Sequence, residues 1–95
     1  MLVELDGSRL RSERDFHEQL ARMLDFGPYY GRNLDALWDR LSADVERPVK
    51  LVWKDAEVSR LAMGAVFDRI VRILRKVEEQ DRTCGLRERF EFELL

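Results

Sequence analysis

The chain has 95 residues, 45% of them hydrophobic and 38% charged, with a formal net charge of −2. That length supports one hydrophobic core and not two, so residues 1–95 are read as a single domain. The near balance of charge argues against direct nucleic-acid binding, which usually brings a basic excess, and the single cysteine, Cys84, excludes an intramolecular disulfide and suits a reducing compartment. No apolar run is long enough to span a bilayer. Met1-Leu2-Val3-Glu4 lacks the basic-then-apolar layout of a signal peptide, so the expected location is the cytoplasm. No repeat, linker or low-complexity segment interrupts the chain.

In chain order, Leu2-Val3-Glu4-Leu5 is a short apolar run closed by the turn pair Asp6-Gly7, which predicts a strand. Ser12, with Asp15 three residues on, resembles a capping box and opens a helix. Phe16, Leu20, Met23 and Leu24 form its inward face, and it ends before Gly27-Pro28. His17 lies beside that face. With no cysteine or second histidine near it, a surface or packed role is the expectation rather than a catalytic or metal one.

The loop Tyr29-Tyr30-Gly31-Arg32 then leads to Asn33, a strong N-cap for the central helix. At about 100° per residue, Leu34, Leu37 and Leu41 form one apolar stripe. Asp35 and Asp39 share another face, and Trp38 sits between the two. Asp35 is favoured by the helix dipole as a first-turn acid. Asp39 is not, and like charges four apart oppose the helix by roughly 0.2–0.5 kcal/mol. The residues alone leave two readings: solvated acids beside a core tryptophan, or a presented binding face.

Ala43 to Pro48 is a connection, because proline bars further helix. Val49-Lys50-Leu51-Val52-Trp53 is a second strand, apolar enough to suggest burial on both faces. Asp55 caps a short helix through Met63, with Val58, Leu61 and Ala62 inward, and Gly64 divides it from the longest helix. That helix runs to about Gln80, with Val66, Phe67, Ile70, Val71, Leu74 and Val77 facing the core. After a turn at Arg82 to Gly85, Phe90, Phe92 and Leu94 alternate with Glu91 and Glu93 in a third strand with one solvated face, as at an edge. Helical crossovers imply a parallel sheet, hence a two-layer α/β domain of three strands and about four helices. Pattern alone leaves the strand orders 2-1-3 and 1-2-3 open.

For chemistry, the chain offers no glycine-rich phosphate loop, no paired cysteines and no recognisable nucleophilic set. Asp35 and Asp39 as a cation site would need more oxygen ligands, and as acid and base would need burial. No cofactor or metal is expected, and the chain does not read as an enzyme. Tryptophan and tyrosine are enriched at binding hot spots. Beside unpaired carboxylates on a presented helix, they suit a basic, concave partner that itself binds a polyanion.

Tyr29-Tyr30-Gly31-x-Asn33-Leu34-Asp35-Ala36-Leu37-Trp38-Asp39 resembles the signature loop-helix of the barstar family, intracellular inhibitors of a secreted bacterial ribonuclease. Asp6-Gly7, Arg11-Ser12, His17, Pro48 and Trp53 extend the resemblance over nearly the whole chain, weakening after Ser59. The resemblance implies strand order 2-1-3 and a cytoplasmic, non-enzymatic inhibitor that is monomeric when free. It further implies that Asp39 enters the phosphate-binding centre of a basic, barnase-like ribonuclease and that Asp35 pairs with a neighbouring cation. Tyr29, Asn33, Leu34 and Trp38 would supply the surrounding contacts. The alternatives are an immunity protein for a different nuclease or toxin, and a non-inhibitory interaction module with an acidic face.

Three departures bear on the partner. Ala43 and Asp44 stand where a well-known member of the family has a glycine and a tryptophan near the nuclease. Lys76 stands where that member uses a glutamate, with Glu78 and Glu79 close by. The member is also markedly acidic, and this chain is nearly neutral. Ala43, Asp44 and Lys76 are therefore read as rim positions, and the expected partner is a related nuclease with a differently charged rim.

Overall fold

The computed structural model describes all 95 residues. In chain order the elements are β1 (Leu2–Asp6), a 3₁₀ turn (Gly7–Arg9), α1 (Glu13–Leu24), α2 (Leu34–Asp39), a π turn (Arg40–Asp44), β2 (Val49–Lys54), α3 (Ala56–Met63), α4 (Ala65–Thr83) and β3 (Phe90–Leu94). The three strands are parallel, so the α/β expectation holds, as does the count of four helices. The strand order is β1-β2-β3, not 2-1-3.

The reason for that order lies in the strands themselves. A central strand has both edges hydrogen-bonded by neighbours, and it goes to the most apolar segment. β2 is buried at Val49, Leu51, Val52 and Trp53, whereas β1 alternates exposed and buried residues along its length. β3 is an edge, as its alternation predicts, and α4 covers that edge with side chains. Phe90 N–H donates to Asp81 Oδ2 (2.7 Å), Phe92 N–H donates to Glu78 Oε2 (2.9 Å), and Arg75 Nη1 donates to the Phe92 carbonyl (3.3 Å). An edge strand presents unpaired backbone groups, and these contacts satisfy them without another strand.

All the helices pack on one face of the sheet. Val3, Leu51 and Phe92 stand opposite one another across the strands and point into the core, with Leu5, Trp53, Phe16, Leu37, Ile70 and Leu74. The other face is open, which corrects the expectation that β2 is covered on both sides. Val52 lies on that open face outside the core cluster. Its cross-strand neighbours Glu4 and Glu93 reach to Lys54 (2.7 Å) and Lys50 (3.1 Å), so ion-paired side chains roof it instead of a helix.

Two helix faces also differ from expectation. On α1, Phe16, His17 and Leu20 are buried while Met23 is 43% exposed, because taking His17 inward rotates the buried stripe away from Met23. On α3 the inward residues are Ala56 and Ser59, with Met63 partly buried, and Val58, Leu61 and Ala62 face out. The buried Trp53 indole decides this: its Nε1 donates to Ser59 Oγ (3.0 Å), which donates in turn to the Gly7 carbonyl (2.9 Å). A buried donor needs an acceptor more than Leu61 needs burial. Gly7 is required there, since a Cβ would lie 2.2 Å from the Lys54 carbonyl oxygen. Asp55, at the start of α3, adopts left-handed backbone (φ 51°) and makes no side-chain cap. α4 continues past Gln80 to Thr83.

Candidate partner-binding surface

The predicted capping at both helix starts is present. Ser12 Oγ accepts from Asp15 N–H (3.1 Å) at α1, and Asp15 Oδ2 reaches back to Arg11 N–H (3.0 Å). Asn33 Oδ1 accepts from Ala36 N–H (2.8 Å), and its Nδ2 donates to the Gly31 carbonyl (3.3 Å), so Asn33 fixes both the start of α2 and the end of the loop before it. Its side chain is thereby used inside the protein.

On α2, Leu37 is fully buried and Leu34 half-buried, with Leu41 buried beyond the helix in the π turn. The stripe thus turns Asp35 and Asp39 to solvent, where neither carboxylate makes a hydrogen bond or an ion pair with the rest of the protein. Trp38 is half-buried, one side against the core and the other lining an open cleft of about 420 Å³ with Leu34, Asp35, Asp39, Ile73 and Lys76. The Lys76 ammonium lies 5.4 Å from the Trp38 ring centroid, a cation–π geometry, rather than against either aspartate. Beyond Trp38 the groove continues between α2 and α4 past Gln80 and Cys84.

The two loop tyrosines part company. Tyr29 is 92% exposed and Tyr30 only 6%. The Tyr30 hydroxyl lies 2.6 Å from His17 Nδ1, and His17 Nε2 lies 3.0 Å from Glu13 Oε2. The Glu13 carboxylate can only accept, so in a neutral imidazole Nε2 carries the proton and donates to it, and Nδ1 accepts from the Tyr30 hydroxyl. Burial pushes that hydroxyl well above its ordinary value, which keeps its proton in place. His17 is therefore a packed, fully satisfied histidine, as expected. The Glu13–His17–Tyr30 chain was not read from sequence, although Glu13 and His17 one helical turn apart were its visible trace.

The remaining positions scatter. Arg40, unremarked in the sequence, reaches back from the π turn to donate through Nη1 to the Phe26 carbonyl (3.0 Å), and its Nε lies 3.7 Å from Asp44 Oδ2. Asp44 is thus engaged on the flank near Phe26, while exposed Ala43 borders the cleft on the α4 side with Asp81 and Arg87. That cleft, about 540 Å³, is larger than the one at Trp38, but Asp81, its buried carboxylate, is already spent on Arg47. Glu78 is held by Phe92 N–H and Arg75, and Glu79 pairs with Arg82, which leaves Lys76 as the residue of that trio facing Trp38. No three His, Cys, Asp or Glu side chains come together to hold a metal ion, and no helix is long and apolar enough to cross a membrane.

A family model described as "Barstar (barnase inhibitor)" matches residues 1–94. The chain is also 38% identical over 78 residues to YrdF of Bacillus subtilis (strain 168), a protein named as a candidate ribonuclease inhibitor. That match covers 82% of this chain and 86% of YrdF.

Proposed function

From the premise that the chain belongs to the barstar family, a family of inhibitors and not enzymes, we propose that it blocks a ribonuclease by laying α2 across the nuclease active site. Asp39 would take the place of an RNA phosphate among the nuclease's cations, with Asp35 pairing a neighbouring cation. Tyr29, Leu34 and Trp38 would fill the surrounding contacts, and Asn33 would hold the loop and helix in register. One observation carries the reading: two unpartnered carboxylates one turn apart, beside a half-buried tryptophan, on a helix whose other face is locked into the core. Carboxylates without a partner in the free protein need break no internal contact to meet a cation, so the attraction is available in full to the complex.

On this reading the inhibitor is a monomer that works in the cytoplasm, where it neutralises a nuclease before export. Its partner has a basic centre, and Lys76 beside Trp38 points to an acid on the nuclease rim facing α4, which separates it from a uniformly basic target. Ala43 offers the partner little contact area.

The test is titration of barnase-catalysed RNA cleavage with the purified chain and with Asp39→Ala. Wild type should inhibit to a stoichiometric end point. Asp39→Ala should lose roughly 2–5 kcal/mol of binding, because the nuclease's cations are left unpaired, while its melting temperature stays level or rises slightly as the Asp35 repulsion is relieved. A melting temperature that fell while inhibition persisted would make Asp39 structural and end the proposal.

A further inference from the structure

Tyr29 is the most exposed large side chain on the surface described above, and it rides on a segment, residues 25–33, that has no helix or strand of its own. Asp25 (φ 54°), Gly27 (φ 75°) and Arg32 (φ 52°) all take left-handed backbone there, a conformation that opposes regular structure. Something outside the segment has to hold it if Tyr29 is to meet a partner in one place. Two buried rings flank Tyr29, Phe26 and Tyr30, packed on each other with centroids 4.8 Å apart. Arg40 closes over both, its guanidinium 5.3 Å from the Phe26 centroid and 6.0 Å from that of Tyr30, while Nη1 donates to the Phe26 carbonyl (3.0 Å).

We infer that Arg40 is a positioning residue that locks the Tyr29 loop to the carboxylate helix, so that aromatic contact and acids reach a nuclease as one rigid surface. This rests on the inhibitor reading above. Arg40 directly follows Asp39, so its clamp fixes the loop against the very turn that carries the acid. A planar guanidinium can stack on rings and donate in its own plane at once, which an ammonium cannot. Asp44, 3.7 Å from Nε, offsets the positive charge that Arg40 would otherwise show to a basic partner. The Glu13–His17–Tyr30 chain tethers the same loop from the α1 side. A loop ordered before binding does not have to be ordered by it, so the complex keeps that free energy.

Arg40→Lys tests this with charge conserved. Backbone ¹⁵N order parameters of the free protein should fall at Tyr29, Tyr30 and Gly31 from about 0.85 to below about 0.6, with α4 unchanged, and Tyr30→Phe, cutting the tether at His17, should loosen the same residues. With barnase as probe, Arg40→Lys should weaken inhibition about tenfold in the wild-type background and less than about twofold when Tyr29→Ala is also present, the coupling expected of one residue acting through another. Unchanged order parameters in Arg40→Lys would overturn the clamp, as would additive losses for Arg40→Lys and Tyr29→Ala. A wild-type chain that leaves barnase fully active would refute the barnase-like reading instead, and the relaxation data would still decide the clamp.

Discussion

Two acidic sites in this protein use the same functional group in opposite ways. Asp81, in the last turns of α4, is 4% exposed, and its carboxylate takes three hydrogen bonds inside the protein. Its Oδ2 takes Arg47 Nε (2.8 Å) and Phe90 N–H (2.7 Å), and its Oδ1 takes Arg47 Nη2 (3.2 Å). It thereby joins α4, the segment before β2, and the start of β3. Asp35 and Asp39 are exposed and unpartnered, and they oppose each other across one turn. A carboxylate that serves the fold is surrounded by donors; one left without them is available to something else. The tryptophans repeat the lesson, Trp53 fully buried with its indole N–H bonded to Ser59, Trp38 half-open in a cleft.

The sharpest way to break this comparison is to remove one member of each kind. Asp81→Ala should destabilise the fold by roughly 3–5 kcal/mol, because the part-buried Arg47 is left without its partner and the buried Phe90 N–H without its acceptor. Chemical denaturation will measure it. Whatever fraction remains folded should still inhibit, since Asp81 lies away from the α2 cleft. The opposite pattern, stable protein with lost inhibition, is what Asp39→Ala should give, and the crossing of the two phenotypes is the signature. If both variants lost stability alike, the distinction between the sites would be false.

Acid provides a smaller effect with a defined sign. Burial works to raise the Asp81 pKa, but the Arg47 fork and the Phe90 N–H outweigh it and hold the carboxyl below the ordinary 3.8. A group depressed in the folded state contributes stability that is complete above its unfolded pKa and is lost as pH falls through the folded one. Wild type should therefore lose stability more steeply than Asp81→Asn as pH drops below about 3.8. Parallel curves from denaturant titrations at pH 5, 4, 3 and 2 would show that Asp81 is not a linked group.

The smallest effect should come from Lys76. Toward a nuclease whose rim is basic opposite Lys76, Lys76→Glu should quicken association by about threefold to tenfold at low salt, while dissociation stays nearly constant, since a rim charge acts by steering. Toward a nuclease with an acid opposite Lys76 the sign should reverse. Stopped-flow mixing reads both rates. A dissociation rate that moves more than the association rate would place Lys76 inside the desolvated interface.

Much of this was legible in the chain alone. The α/β class, the caps at Ser12 and Asn33, the packed His17, the inward Phe90 and Phe92, and the α2 face that carries Leu37 and Leu41 all follow from patterns within a few residues. Such patterns are set by local sterics and by periodicity, which sequence carries directly. The acids were visible for the same reason: spacing put Asp35 and Asp39 on one face, and the face opposite had to be core.

What only the tertiary structure decided depends on partners far apart in the chain. The strand order went to β1-β2-β3 because sheet centre and edge are settled by competition among all three strands, and because α4 side chains could satisfy the β3 edge. Val58 and Leu61 turned outward because Trp53 needed Ser59, a pairing no helical period announces. Tyr30 went inside and Tyr29 stayed out because His17, 13 residues earlier, held an acceptor for one hydroxyl and not for two. Arg40 became a clamp because folding returned the loop carbonyl of Phe26, 14 residues behind it, to within 3.0 Å. A sequence shows which groups will need a partner; only the folded chain decides which of them meet and which are left for another molecule.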